Sequence, residues 1–149
     1  MTPDINVLLA ASRADHPQHK IALHWLNQAL TACATGGRIE ILPMVAAGFL
    51  RLATNPRVFL SPMPIDAALA FLDSLLATSG VEIPEIGREW PALKQLCREH
   101  QLSANSIPDA WLAASVKTTG GHFITFDQDF KRLLSRSEVT ILSTRASAA

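Results

Sequence analysis

The stretch that decides the fold is IPDAWLAASVKTTGGHFITFDQDF, which spans residues 107–130. It opens with Pro and Asp, which are typical of the first turn of a helix, and continues with small and apolar residues up to a glycine pair. After the glycines, residues 122–125 predict a short buried strand. Asp127 and Asp129 follow that strand directly. The segment therefore predicts a helix, a turn and a strand that ends in two carboxylates.

Helical and strand patterns alternate in the same way along the rest of the chain. Helical segments with apolar stripes of period 3.6 separate five strand-like segments. The predicted strands are the residues before Asp4, RIEILP at 38–43, VEIP at 81–84, HFIT at 122–125 and VTILS at 139–143. This order predicts an α/β fold, a three-layer α/β/α sandwich with a central, mainly parallel sheet of about four to five strands. The length of 149 residues predicts one domain, 1–149.

The composition of the chain argues against a membrane protein and against a secreted one. The hydrophobic fraction is 48%, but no apolar run approaches the roughly 20 residues that span a bilayer, so we expect no membrane association. The amino terminus lacks the basic start of a secretory signal. Cys33 and Cys97 have no partner at the spacing of a zinc site or redox pair, which predicts reduced thiols and a cytoplasmic protein. The formal net charge is zero, so overall charge gives no support to nucleic-acid binding.

Three acidic positions are predicted at the carboxyl edge of the sheet, where open parallel α/β sheets bind ligands. Asp4 follows the first strand, Asp127 follows the HFIT strand, and Asp109 lies in the first turn of a helix. Neighbouring strands are about 5 Å apart, so Asp4 and Asp127 converge if their strands are adjacent. Two interpretations remain open at this point: the acids cap helices and turns, or together they bind a hard cation such as Mg²⁺ or Mn²⁺.

The order of motifs resembles a known family. DIN at 4–6, IPDAWLAA at 107–114 and TFDQDF at 125–130 together resemble the PIN-domain nucleases, and more narrowly the VapC-type toxins of bacterial toxin–antitoxin pairs. The segments DHPQHKIALHWL at 15–26 and GFLRLATNPRVF at 48–59 resemble one branch of that family. The resemblance extends over nearly the whole chain, and its most specific part is residues 108–130.

The resemblance implies a metal-dependent endoribonuclease. The family's metal-binding acids fall on Asp4, Asp109 and Asp127. Asn6 takes the place of a small polar residue beside the first acid. Asp129 is a possible supporting residue or a cap for the short helix after it. The cofactor implied is Mg²⁺ or Mn²⁺. The implied partners are an RNA substrate, either tRNA or ribosomal RNA, a second copy of the chain in a homodimer, and a cognate antitoxin.

The chain departs from the family pattern at one position. Many PIN domains carry a Glu early in the helix after the second strand, but residues 44–50 read MVAAGFL and contain no acid. Ala46 or Gly48 takes the expected place, and Glu40 lies too far back along the strand to substitute. The site is therefore expected to hold one metal ion rather than two. The alternative is a catalytically weak PIN-like module that binds RNA or the antitoxin.

Basic and aromatic residues have competing interpretations. Arg51 and Arg57 either form a solvated helix end or contact RNA, for which the guanidinium group is well shaped. Lys131 and Arg132 either steer a phosphate backbone or form a solvated helix face. The three tryptophans, Trp25, Trp90 and Trp111, are expected in the core or at a dimer contact, with base stacking as the minority alternative.

Overall fold

Six helices and five short strands alternate along residues 1–143, the part of the chain that the computed structural model describes. The strands are β1 Thr2–Pro3, β2 Ile39–Glu40, β3 Val81–Glu82, β4 Phe123–Thr125 and β5 Val139–Ile141. The helices are α1 Ile5–Ser12, α2 His19–Cys33, α3 Pro43–Ala53, α4 Ile65–Leu76, α5 Trp90–His100 and α6 Ser106–Thr119. A 3₁₀ helix, Gln128–Arg132, follows β4.

The three strand pairs in the described part of the chain are parallel, and β1 lies between β4 and β2. The order β1-β4-β5 forms one sheet, and β2 pairs with β3. The backbone N–H of Glu40 donates to the carbonyl oxygen of Met1 at 2.9 Å, which joins β2 to the other edge of β1. The chain leaves β1 toward β2 and later arrives at β4 on the opposite side. This reversal of direction places the ligand-binding crevice of a parallel sheet beside β1.

The helices cover both faces of the sheet. The right-handed crossover rule predicts α1 to α4 on one face and α5 with α6 on the other, because the connection from β3 to β4 runs in the opposite direction. The contacts agree with this division: α1 packs on α2 and α3, α3 packs on α4, and α5 packs on α6. The largest fully buried side chains come from both layers and include Phe49, Phe123 and Leu8. The structure thus confirms the predicted α/β fold class.

Two adjacent glycines position β4 against β1. Gly120 ends α6 in the left-handed region at φ 69°, a conformation in which glycine has no side chain to clash. At Gly121, a Cβ atom would come within 2.7 Å of Thr2 Oγ1. A side chain at this position would therefore push β4 away from β1. The two glycines thus allow both the turn after α6 and the close approach of β4 to β1.

One local prediction is wrong. In the segment DHPQ at 15–18, Asp15 and Gln18 have the spacing of a capping box, which predicts Asp15 as the N-cap of the second helix. However, α2 begins at His19, and Asp15 is instead held by the guanidinium group of Arg13 at 2.8 Å. Of the tryptophans, Trp25 is half-buried against the core. Trp90 and Trp111 are 62% and 38% exposed, and a dimer contact at these two residues stays a prediction. No helix within residues 1–143 is long and apolar enough to cross a membrane.

Candidate active site

The pairing of β1 with β4 brings Asp4 to the end of β4. Pro3 is in register with Ile124, and the backbone N–H of Asp4 donates to the Ile124 carbonyl oxygen at 2.8 Å. The adjacency on which the convergence of Asp4 and Asp127 depends is therefore present. Both acids leave the sheet at its carboxyl edge, directly after their strands.

Asp4 is a buried carboxylate held by two hydrogen bonds. Asp4 is only 6% exposed, and it is the N-cap of α1. Oδ1 accepts the backbone N–H of Ile5 at 2.7 Å, and Oδ2 accepts the hydroxyl of Thr125 at 2.6 Å. The same carboxylate thus caps a helix and lies at the carboxyl edge of the sheet, so the two interpretations of Asp4 do not exclude each other.

Thr125 connects the elements of the site, although sequence reasoning gives it no role. Besides donating to Asp4, its Oγ1 accepts the side-chain amide of Asn6 at 3.2 Å and the backbone N–H of Asp127 at 3.0 Å. Asn6 in turn accepts the backbone N–H of Phe126 at 3.3 Å. A signal for this role exists in the sequence: Thr125 is a polar residue in an otherwise apolar buried strand, immediately before the acidic segment.

Asp127 and Asp129 occupy different environments. Asp127 Oδ1 accepts the backbone N–H of Asp129 at 2.8 Å and begins the 3₁₀ helix as its N-cap. The expectation that Asp129 caps this helix is therefore wrong, because Asp129 lies inside the first turn. Asp127 is half-buried and Asp129 is exposed.

Asp109 approaches the same edge from α6. It lies in the first turn of that helix and is half-buried. Together with Asp129 and Arg132 it lines a small pocket of about 190 Å³. Burial raises the pKa of the Asp109 carboxyl, and the negative charges of Asp127 and then Asp129 raise it further.

The charges of three predicted ligands act on one another. Burial raises the pKa of Asp4 from 3.8 to about 6, the hydrogen bonds from Thr125 and Ile5 oppose the rise, and the charges of Asp109 and Asp127 add to it. A positive ion among these oxygens would relieve this repulsion, and hard cations such as Mg²⁺ take oxygen ligands of this kind. The donor chemistry therefore fits Mg²⁺ or Mn²⁺. Within residues 1–143, however, no three His, Cys, Asp or Glu side chains already stand at the spacing of a metal site.

Glu40 lies near the amino ends of β1 and β4, whereas these acids lie at the carboxyl ends. Its Oε2 is 3.6 Å from the position that a Cβ would take at Gly121, just before β4 begins. Its backbone pairs with Met1, ahead of β1, and its charge acts on the Met1 amine. Glu40 thus cannot replace the acid that the helix after β2 lacks. At Gly48 a Cβ would collide with Ile5 Cδ1, so this position has no room for a longer side chain without movement of Ile5.

The predicted basic residues are separated around the site. Arg132 lines the pocket of Asp109 and Asp129, whereas Lys131 faces another pocket, beside Arg136. Arg51, in the last turn of α3, lines an apolar pocket together with Ile5. Arg57 is exposed in the loop after α3, where its backbone N–H donates to Asn55 at 2.8 Å.

A parallel α/β/α sandwich with acids gathered at the carboxyl edge of its central strands is the architecture of PIN domains. The chain belongs to the PIN-domain family, whose profile matches residues 1–134. It is 38% identical to Ribonuclease VapC31 of Mycobacterium tuberculosis over 133 residues, which cover 89% of this chain and 92% of that protein. It is 37% identical to Ribonuclease VapC25 of the same organism over 133 residues, with the same coverage.

A solved structure has the same fold. The crystal structure of VapBC2 from Rickettsia felis bound to a DNA fragment from its promoter contains a chain that superposes on this one with a TM-score of 0.65. The match covers 95% of this chain and 98% of that chain at 15% sequence identity. The likeness supports the fold of the chain.

Proposed function

We propose that the protein is a cytoplasmic, metal-dependent endoribonuclease that acts as the toxin of a toxin–antitoxin pair. The observation that carries the proposal is the buried Asp4 carboxylate, which is oriented by Thr125 and lies under the charges of Asp109 and Asp127. The relatives named ribonucleases support the substrate class. The site lies at the carboxyl edge of a parallel sheet, where folds of this class bind their ligands.

Asp4, Asp109 and Asp127 would hold a Mg²⁺ or Mn²⁺ ion, with water completing the coordination shell. When bound, such an ion supplies an activated water and stabilises the negative charge that develops on a phosphodiester. Asp4 would anchor this arrangement, because its two hydrogen bonds fix the carboxylate and leave a free lone pair on each oxygen. Asn6 and Thr125 hold the start of α1 and the end of β4 at a constant separation.

Proton transfer falls to one of the same carboxylates in this proposal. Asp109 is more accessible than Asp4. Arg132 lines the same pocket, where a guanidinium group can contact a phosphate of the RNA backbone.

The proposed partners rest on the resemblance to VapC-type toxins. A VapC-like ribonuclease would cleave a structured RNA, tRNA or ribosomal RNA, would form a homodimer, and would be silenced by a cognate antitoxin. The printed name of the VapBC2 complex is consistent with a toxin of this fold in association with a second protein.

A cleavage assay tests the proposal. A pool of tRNAs and ribosomal RNA fragments is incubated with wild type, Asp4→Asn and Asp109→Asn in Mg²⁺ or Mn²⁺, with Asp66→Asn as the matched control. Asp66 is an exposed acid in the first turn of α4, outside the site. We expect wild type and Asp66→Asn to cleave a subset of RNAs and both site variants to be inactive. The proposal fails if wild type and the site variants are equally inert under both metals.

A second candidate is a PIN-like module that binds RNA or its antitoxin without cleaving. Two observations favour it: residues 44–50 contain no acid, and no three potential ligands within residues 1–143 are already arranged around a metal position. Ala46→Glu discriminates the two candidates. If the site is a nuclease limited by one missing ligand, this variant should bind Mn²⁺ more tightly and cleave faster than wild type. A binding module would show no cleavage as wild type, and its RNA binding would not depend on Asp4.

A further inference from the structure

An apolar pocket of about 470 Å³ lies beside the acidic site. Its walls are Ile5 from α1, Met44, Ala47 and Gly48 from α3, and Trp111 from α6, with Arg51 as its charged member. Ile5 directly follows Asp4 in the chain, and Pro108, which also lines the pocket, directly precedes Asp109. Two residues of its wall are thus direct neighbours in the chain of two of the acids.

The first turns of α6 separate two depressions of opposite character. Pro108 and Trp111 are three residues apart and face the apolar pocket. Ser106 and Asp109 are also three apart, and they face the small pocket that Asp129 and Arg132 line. A ligand that crosses the start of α6 therefore has a polar and charged wall on one side and an apolar wall on the other. A nucleotide has the same division, because its phosphate is charged and its base has apolar faces.

Trp111 is held as a fixed, partly exposed ring. Its indole N–H donates to Glu89 Oε1 at 2.9 Å, and Glu89 Oε2 accepts the backbone N–H of Gly87 at 2.6 Å. Glu89 is only 9% exposed, so the anchor is protected from water while the indole remains 38% exposed. An aromatic ring that is fixed at its edge and open on its surface is suited to stacking, because little side-chain freedom is lost on binding.

Arg51 adds a planar cation to the same pocket. It is exposed in the last turn of α3, and within residues 1–143 its guanidinium group forms no salt bridge. An arginine plane together with an aromatic ring is the combination that proteins use to hold unstacked bases of single-stranded RNA. A purely apolar ligand would gain nothing from this charge.

We propose that this pocket is a nucleobase subsite for the nucleotide next to the phosphate that is cleaved. The base stacks on Trp111 and contacts Arg51, while its phosphate lies toward Asp109 and Arg132. The inference rests on the proposed ribonuclease function and adds a determinant of substrate choice to it. Trp111 and Arg51 bind the substrate in this arrangement and take no part in proton transfer.

Binding of short RNAs tests the subsite separately from cleavage. Fluorescently labelled single-stranded hexaribonucleotides of each base are compared with hexamers that carry one abasic ribose, in EDTA so that metal-dependent cleavage cannot occur. We expect wild type to bind the intact hexamer about tenfold more tightly than the abasic one at the position that fills the pocket. Trp111→Ala should abolish this difference, and Trp111→Phe should retain most of it.

Two further variants control for folding. Trp90→Ala removes a more exposed tryptophan from a helix that does not line the pocket, and it should leave the base dependence unchanged. Ala47→Phe fills the pocket from an exposed position of α3 and keeps Trp111 in place. It should weaken binding of the intact hexamer about as much as Trp111→Ala does, without a loss of thermal stability.

The outcomes separate this inference from the proposed function. If wild type binds intact and abasic hexamers equally, or if Ala47→Phe and Trp111→Ala bind as wild type does, the base subsite is overturned and the pocket is left for an apolar side chain of a protein partner. If base-dependent binding is present but no RNA is cleaved in Mg²⁺ or Mn²⁺, the nuclease proposal fails while the subsite stands. Cleavage with an unchanged KM in Trp111→Ala overturns the subsite alone.

Discussion

Thr125 Oγ1 donates a hydrogen bond of 2.6 Å to Asp4 Oδ2, which joins two residues 121 positions apart in the chain. The same oxygen accepts bonds from Asn6 and from the backbone of Asp127. One hydroxyl therefore holds the end of β4, the start of α1 and the first acid after β4 in a single arrangement. The position of the acidic site depends on this contact as much as on the acids themselves.

Thr125→Val replaces the hydroxyl by a methyl group of similar size. It leaves the buried Asp4 Oδ2 without a donor, and the half-buried Asn6 amide and Asp127 N–H without their acceptor. We therefore expect the free energy of unfolding to fall by about 1–3 kcal/mol. The pKa of Asp4 should rise further above 6, because the hydrogen bond from Thr125 lowers it. Urea unfolding at pH 7 and carboxyl NMR titration measure the two effects. Thr125→Ser keeps the hydroxyl, and an equal loss in that variant would contradict the explanation.

The raised pKa of Asp4 predicts a pH dependence of stability. The folded state binds the Asp4 proton more tightly than the unfolded state, so this group favours folding below pH 4 and loses that contribution as the pH rises from about 4 to about 6. At about 1.4 kcal/mol per pH unit, the loss is of order 3 kcal/mol. Comparing the stability of wild type with that of Asp4→Asn across this range isolates the contribution. A difference between the two proteins that is constant from pH 4 to pH 7 would disprove the assignment.

Divalent metal should offset the repulsion among the acids. We expect Mg²⁺ or Mn²⁺ at about 100 times its Kd to raise the Tm at pH 7 by roughly 5–10 °C. The shift should be absent in Asp4→Asn and reduced in Asp109→Asn, and unchanged in Asp66→Asn. Differential scanning fluorimetry measures it, with Ca²⁺ as a test of selectivity. Equal shifts in all four proteins would mean that the ion binds elsewhere.

Asp127 and Asp129 should differ in their effect on cleavage. Asp127→Asn retains a side chain that can cap the 3₁₀ helix, so its stability should be near that of wild type while cleavage falls by about 100-fold or more. Asp129 is exposed, and we expect Asp129→Asn to lower cleavage less than about tenfold. Initial rates on one cleaved RNA test the order. The reverse order would assign the ligand role to Asp129.

Arg13 should stabilise the loop between α3 and α4. Its guanidinium group pairs with Asp15, donates to the Ser61 carbonyl oxygen at 2.9 Å, and lies 3.9 Å from the centre of the Phe59 ring. Arg13→Ala should expose residues 54–64 to limited proteolysis, because the loop loses its attachment to the end of α1. Arg98→Ala, an exposed arginine in the last turn of α5, is the control. Identical digestion patterns in both variants would exclude this role.

Sequence patterns predicted the α/β class, the alternation of elements and the acidic edge, because each depends on short-range features such as apolar periodicity, helix stops and strand ends. The adjacency of β1 and β4 could not be derived in this way, since nothing local to Thr2 specifies pairing with Phe123. Asp15 illustrates the opposite failure. Its spacing matched a capping box, but the nearby guanidinium group of Arg13 competes for the carboxylate and takes it.

The roles within the site were harder to predict than its location. Thr125 was overlooked because a hydroxyl at a strand end has no fixed chemical meaning until its partner across the sheet is known. Trp111 was expected in the core or at a dimer contact, and its partly exposed indole donates its N–H to Glu89. In both residues, the hydrogen-bond partner is a side chain that is distant in the sequence.

The central position of β1 also determines when the acidic edge can form during synthesis. β1 is made first, but its partner β4 comes more than a hundred residues later. A nascent chain that has not yet exposed residues 123–127 to solution therefore carries Asp4 without Thr125 or Asp127 beside it. The growing polypeptide, which stays close to ribosomal RNA throughout translation, acquires its complete set of acids only after residues 123–127 have left the ribosome.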